Sequence, residues 1–339
     1  MTATEKPFTI AAVQAAPVFM DRDATIEKAC ALIAQAAKKG AKSIVFPEAF
    51  VPTYPDWVWV VPASNGSSHA ELYGELLDQS VTVPSVATDK LCRAAKANRV
   101  FVVIGINERN AEASGGSIYN TLLYISDKGE LLGRHRKLMP TVAERMVWTP
   151  GDGSTLEAFE TPYGRLGGLI CWENYMPLAR YTMYAQGVQI YVAATWDSSD
   201  TWIASLRHIA KEGRMVVVGC CIAMRRDDVP DRYEFRSGYP DNEDYWINVG
   251  NSAIVNPQRI LAGPVVCKEE TLYAEIDPAW MRGTKFSLDA AGHYARPDVF
   301  QLTVNRAANP MIITNGNETT AGTDGRARTP ARQTTRRRS

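Results

Sequence analysis

The sequence predicts an α/β protein with helices laid on mixed sheets, and three observations point there. The chain opens with an apolar strand, an amphipathic helix and a second apolar strand, all before Pro47. Two later strand signals are joined by a tight Asp127-Lys-Gly129 turn, the mark of an antiparallel hairpin. Strand and helix signals then alternate again from Leu166 to Met224. Parallel strands need crossover helices and hairpins do not, so both together require mixed sheets.

Phe8 to Gln14 reads as the first buried strand. Asp21 to Lys39 follows as a helix with Ile26, Ala29, Cys30, Ile33 and Ala37 on one face and Gly40 after its end. Ser43 to Phe46 is the second strand, stopped by Pro47, with Glu48 just beyond. Pro52 to Ser68 holds three prolines and a Ser-Asn-Gly-Ser-Ser turn around Trp57 and Trp59, and reads as an irregular loop. Pro84 to Asn98 is a helix begun by its proline. Val100 to Ile106 and Ser117 to Ile125 are strands, and Leu131 to Lys137 completes the hairpin. In the second half a strand ends at Cys171, a helix runs from Pro177 to Gln186, and a strand covers Ile190 to Ala194. A helix over Thr201 to Gly213 and a very apolar strand over Met215 to Met224 follow. The charged stretch Arg225 to Trp246 reads as an exposed loop or insertion, and strands return at Ser252 to Asn256 and Leu272 to Ile276. No linker divides the chain, so one domain is expected over 1–314, with a disordered basic tail over 315–339.

Composition narrows the function classes. With 339 residues, 45% of them hydrophobic, the chain can bury a large core. Its 37 basic and 37 acidic residues cancel, which argues against a nucleic-acid partner, and the basic tail lacks the aromatic residues of a stacking surface. The six cysteines are scattered without a Cys-x-x-Cys pair, as expected of reduced thiols in a cytoplasmic protein. The four histidines show no metal-ligand spacing, so neither metal nor cofactor is expected. Phe8 to Met20 could pass for a signal segment, but Thr9, Gln14 and Pro17 interrupt it and Asp21 and Asp23 follow. No apolar run approaches the roughly 20 residues that span a bilayer.

The stretch Leu166-Gly-Gly-Leu-Ile-Cys171-Trp-Glu-Asn-Tyr-Met-Pro177 reads as strand, sharp turn and helix with a thiol at the turn. Helix amides beneath a thiol lower its pKa and bind developing negative charge. A buried cysteine closing a core strand is the alternative.

Three ordered segments resemble the nitrilase superfamily, and its nitrilase branch in particular: Phe46-Pro-Glu48, His135-Arg-Lys137-Leu-Met-Pro-Thr141 and Gly168-Leu-Ile-Cys171-Trp-Glu-Asn174. Ala143-Glu144-Arg145, Trp148, Gly151-Asp-Gly153, Arg207-His-Ile-Ala210, Leu261-Ala-Gly-Pro264 and Gly292-His-Tyr294 extend the similarity from about Phe8 to Val304. The resemblance implies a four-layer α-β-β-α sandwich, with a symmetric homodimer that extends into larger spirals. It implies Cys171 as nucleophile, Glu48 as general acid and base, and Lys137 as the cation that stabilises the tetrahedral centre with the Trp172 backbone amide. Glu144 would orient the lysine or the substrate, His135 and Arg136 would be structural, and Glu173 is open between a helix cap and another role. All three principal candidates end strands, and carboxyl edges of strands open onto one crevice.

The Cys171-Trp-Glu-Asn174 form favours hydrolysis of a small-molecule nitrile to a carboxylic acid and ammonia. Amidase or N-carbamoylase activity, cyanide hydration, and a non-catalytic filament-forming scaffold on the same fold are the alternatives. Trp196, Trp57, Trp59 and Tyr54 are candidates for the substrate pocket, Trp196 first, because many relatives carry a small residue there. Thr53 stands where relatives commonly have glycine, so the substrate range is the open question.

Overall fold

Strand β1 (Phe8–Gln14) shows why the strands read as unbroken apolar runs. Phe8, Ile10 and Ala12 enter one buried cluster, Ala11 and Val13 another. Side chains alternate across a strand, so a strand covered on both faces needs apolar residues at every position. The computed structural model describes residues 6–242 and 244–313.

After β1 come α1 (Arg22–Lys38), β2 (Ala41–Val45), α2 (Gly66–Gln79), α3 (Val86–Asn98), β3 (Phe101–Arg109), β4 (Ile118–Ile125) and β5 (Leu131–Arg136). The second half runs β6 (Phe159–Thr161), β7 (Gly164–Gly168), α4 (Pro177–Ala185), β8 (Ile190–Thr195), α5 (Asp200–Gly213) and β9 (Val216–Cys221). It continues with β10 (Ala223–Arg225), β11 (Trp246–Val255), β12 (Ile260–Val266), β13 (Glu270–Ile276) and α6 (Pro278–Thr284). The helices begin and end where local chemistry says they should. Asp21 accepts the Ala24 N–H at the start of α1, Ser85 and Thr88 form a reciprocal cap on α3, and Arg99 closes α3 in the left-handed region.

One sheet has the order β13-β1-β2-β3-β4-β5, the other β10-β11-β9-β8-β7-β6 with β12 on β11. Each has three parallel strands, β1-β2-β3 and β9-β8-β7, flanked by antiparallel ones. The core lies in three layers. Ile10, Val45, Val103, Ile190, Val192 and Val218 meet between the sheets. Ile26, Ile33 and Leu91 of α1 and α3 cover the outer face of the first sheet, and Met183, Leu206 and Ile209 of α4 and α5 cover that of the second. This is the four-layer α-β-β-α arrangement, and each fully buried Val, Leu or Ile contributes about 1.5–3 kcal/mol.

Several local readings change, and the first is that α3 starts at Val86 behind its Ser85 cap rather than at Pro84. Helix α2 lies where the sequence showed only a loop up to Ser68: capped by Asn65, it buries Leu76 alone, too little for a clear apolar stripe. A single 3-10 turn, Cys171–Tyr175, separates β7 from α4. The Met215 to Met224 run divides at Ile222 into β9 and β10. The stretch from Arg225 to Trp246 is not simply exposed, because Val229, Tyr233, Phe235 and Tyr239 alternate with its charges and join the core. Strand β11 starts within it, at Trp246 rather than Ser252.

A compact unit spans Met1–Asn309. A second, Pro310–Ser339, is described only over 310–313, which are exposed and form neither helix nor strand. The tail expected over 315–339 lies outside the described residues. Among the described residues no helix is long and apolar enough to cross a membrane.

Candidate active site

Glu48 owes its place to the break after β2. Phe46 still pairs with Val103, then Pro47 turns the chain and its carbonyl accepts the Gly105 N–H of β3 at 3.1 Å. A Cβ on Gly105 would stand 2.2 Å from that carbonyl and 2.5 Å from the Ala49 nitrogen, so only glycine lets this segment lie so close to the sheet. The Glu48 carboxylate is fully buried, and Oε1 accepts from Asn120 Nδ2 (2.6 Å) and Lys137 Nζ (2.7 Å) while Oε2 has no partner.

Lys137 follows β5 directly. Its N–H donates to the Asn120 carbonyl at 2.8 Å and its own carbonyl accepts from Gly151 at 2.7 Å. Asn120, in the middle of β4, therefore holds the glutamate by its side chain and the lysine by its backbone. The Lys137 ammonium, buried, also donates to Glu144 Oε2 at 2.7 Å and lies 5.6 Å from the Trp148 ring centre. Glu144 sits in the 3-10 turn Val142–Met146, where Oε2 also accepts the Thr141 N–H (2.6 Å) and Oε1 accepts the Tyr54 hydroxyl (2.8 Å).

Cys171, 4% exposed, occupies the left-handed region with φ 52°. Ala49 (φ 49°) and Val142 (φ 45°), neighbours of Glu48 and Glu144, do the same. Each such non-glycine residue costs of order 1–3 kcal/mol, a strain that clusters at functional sites. The Cys171 turn is held from beneath: Glu173 accepts the N–H groups of Ile170 (2.7 Å) and Leu138 (2.5 Å), and Asn174 Nδ2 donates to the Cys171 carbonyl (2.8 Å). Glu173 thus caps the turn and ties it to the segment after Lys137, with His135 Nε2 3.0 Å from its carboxylate. Thr195 Oγ1, at the end of β8, donates to Sγ at 3.3 Å. Arg136 is engaged with Glu108 and Glu112 away from this cluster.

Sγ and one carboxylate oxygen each of Glu48 and Glu144 lie within 4.8 Å of one another. Such a set attracts a cation, and the cation it faces is the Lys137 ammonium. Burial pushes the Glu48 carboxyl up, against the pull of Lys137 and with the added repulsion of Glu144, to about 7. Burial opposes the Lys137 charge, but the surrounding carboxylates outweigh it and hold the ammonium above the ordinary lysine range. The expected lowering of the Cys171 thiol pKa does not occur. Burial first and the Glu48 charge second raise it, against Lys137 and the Thr195 hydrogen bond, so the resting sulfur carries its proton. A neutral thiol next to a carboxyl that titrates near neutrality suits proton transfer during attack rather than before it.

The pocket candidates divide. Tyr54 is wholly buried against Glu144, and its hydroxyl accepts from Trp59 Nε1 at 3.2 Å, while much of the Trp59 ring is exposed. Trp196 stacks on Tyr54 with ring centres 4.3 Å apart and planes 3° from parallel, directly after Thr195. Trp57 belongs to the core, packed near Phe235. The Trp172 side chain is half exposed and donates to Asp197 at 2.9 Å. Asn120 and Thr195 were not singled out in the sequence; a polar residue in the middle or at the end of an apolar strand is the only local sign of them.

The chain matches the carbon-nitrogen hydrolase family over residues 9–286. It is 42% identical over 311 residues to an aliphatic nitrilase of Sinorhizobium fredii (strain HH103), covering 91% of this chain and 98% of that protein. Nitrilase 2 of Arabidopsis thaliana is 41% identical over 300 residues, 86% of this chain and 87% of its own. Among solved structures, Saccharomyces cerevisiae Nit3, a member of branch 10 of the nitrilase superfamily, superposes with a TM-score of 0.65 over 87% of this chain and 99% of that one. At 20% sequence identity that likeness concerns the fold. With a buried cysteine among two glutamates and a lysine at the strand ends of this sandwich, the chain belongs to the carbon-nitrogen hydrolase family, in its nitrilase branch.

Proposed function

We propose that the protein is a nitrilase that converts an organic nitrile and two waters to a carboxylic acid and ammonia, with Cys171 as nucleophile, Glu48 as general acid and base, and Lys137 and Glu144 in support. The observation that carries the reading is the cluster itself: a thiol within 4.8 Å of an oxygen of each of two carboxylates, and an ammonium paired with both, all four groups buried. Sγ attacks the nitrile carbon as its proton passes to Glu48, whose Oε2 is free to receive it, and Glu48 returns that proton to the nitrogen to give a thioimidate. Glu48 then takes a proton from water as it adds and passes it to the nitrogen. It next relays the proton of the new hydroxyl to the same nitrogen, so that the C–N bond breaks, ammonia departs and a thioester carbonyl forms. A second water, activated in the same way, releases the acid. Lys137 and the backbone N–H of Trp172 stabilise the negative charge that develops at each tetrahedral centre. Glu144 holds the ammonium in place and keeps the Glu48 pKa high by repulsion.

The enzyme works in the cytoplasm as a homodimer or larger spiral assembly, its catalytic domain over 1–314 followed by a basic tail. Six free cysteines support a reducing compartment, and exposed apolar side chains such as Leu178, Phe286 and Phe300 support assembly. Ammonia release from matched nitriles and carboxamides tests the reaction. Turnover of nitriles is expected; turnover of amides alone would make it an amidase, and none of either would make it a scaffold.

A further inference from the structure

Asp56 is a buried carboxylate that the proposed mechanism does not use. It begins the short 3-10 turn Asp56–Trp59 two residues after Tyr54, and Oδ2 accepts the Tyr239 hydroxyl at 2.5 Å. Burial raises its pKa to about 6, and hydrogen bonds from Tyr239 and the Trp196 indole favour the charged form. A buried carboxylate persists only where such donors are arranged around it.

Trp196 is fixed on several sides. Its ring lies flat on Tyr54 at 4.3 Å, its indole meets Asp56, and its backbone carbonyl accepts from Asn248 Nδ2 at 2.5 Å. The next residues are tied down as well, since Asn251 Nδ2 donates to the Ser198 carbonyl at 2.9 Å. Trp196 therefore has little freedom unless Asp56 lets go. Tyr239 comes from the Glu234–Gly238 turn and its following residue, which contribute no atom to the cluster around Cys171. That turn presses against the Asp56–Trp59 turn: a Cβ on Gly238 would stand 2.2 Å from Val60 Cγ1.

We propose that Asp56 and Tyr239 form a positioning pair that fixes Trp196 against Tyr54, so that the 234–239 segment sets the width of the nitrile pocket. The proposal rests on the nitrilase reading. In this proposal Asp56 and Tyr239 act only through the tryptophan, whose ring would stand beside the bound substrate. Trp196 directly follows Thr195, whose hydroxyl donates to Cys171 Sγ at 3.3 Å. With the pair intact the pocket is narrow and ordered and holds an aryl or medium-length group against one indole face. Without it the ring is released, and bulky substrates lose that face while small ones lose little.

The test measures kcat and KM for ammonia release from propionitrile and phenylacetonitrile with the full-length protein and its Tyr239→Phe, Asp56→Asn and Trp196→Ala variants. Tyr239→Phe removes one hydroxyl and keeps the ring, so it guards against a misfolded Asp56→Asn. Loss of one hydrogen bond to a charged group should change KM for phenylacetonitrile by about tenfold, with kcat and both propionitrile constants within about twofold of wild type. In the Trp196→Ala background Tyr239→Phe should have no further effect on the ratio of the two substrates, because the tryptophan carries the effect. Parallel changes for both substrates, a fall in kcat at constant KM, or an undiminished Tyr239→Phe effect in the absence of Trp196 would overturn the pair. Wild-type protein inactive on every nitrile would overturn the nitrilase reading and this proposal together; an active wild type with unaltered substrate ratios overturns this proposal alone.

Discussion

Replacing Glu144 by glutamine removes one charge from the buried cluster and keeps its shape. One of its oxygens lies within 4.8 Å of one of Glu48, and its charge is one cause of the raised Glu48 pKa of about 7. At that separation two unit charges in a medium of effective dielectric constant about 20 repel by about 3.5 kcal/mol, or about 2.5 pKa units. The Lys137 ammonium bridges the pair and cancels part of this, so Glu144→Gln should lower the Glu48 pKa by about 1–2 units. A base with a lowered pKa stays ionised to lower pH. The acid limb of the kcat/KM profile should therefore move from about 7 to between about 5 and 6. The plateau should fall by about tenfold or more, because the base is weaker and the lysine has lost a partner. The assay is ammonia release across pH at low substrate. An acid limb that stays near 7 or moves upward would refute the assignment of Glu48 as base and of Glu144 as the charge that tunes it.

Cys171→Ala should abolish ammonia release with a melting temperature close to wild type, and turnover above background would remove the cysteine from its role. Lys137→Ala leaves two carboxylates buried without their cation, so besides losing activity it should destabilise the fold by about 3–5 kcal/mol in chemical denaturation. An unchanged midpoint would show that the cluster does not depend on the ammonium. Glu173→Gln weakens a carboxylate that holds Ile170, Leu138 and His135, and should cost about 1–3 kcal/mol. Burial acts against its charge, but His135 and the two backbone donors hold its pKa below the reference of 4.5. Its contribution is therefore complete above that pH and lost as pH falls through the folded value, and the variant should lack this acid-dependent part of the stability curve. Parallel pH–stability curves for wild type and variant would contradict it.

Much of this protein was legible residue by residue. Apolar runs with no polar face, such as Phe8 to Gln14 and Ile190 to Ala194, announced strands covered on both sides, and proline after Phe46 announced where the chain leaves the sheet at Glu48. The Asp127-Lys-Gly129 turn announced the hairpin that ends at Lys137. These signals are local because backbone geometry and side-chain alternation act over a few residues. Contacts between distant segments leave no such trace. Tyr54 and Glu144 are 90 residues apart, and Asp56 and Tyr239 are 183 apart, so nothing near either member indicates the other. Helix α2 escaped notice because it buries little, and the Arg225 to Trp246 stretch looked solvated because its core-forming tyrosines and phenylalanine stand among charges. The protonation of Cys171 was beyond the sequence altogether. A thiol at a strand-to-helix turn pointed to a lowered pKa, but a pKa depends on the solvent excluded and the charges gathered in three dimensions. Burial and the Glu48 carboxylate, both supplied by the packed fold, decided it the other way.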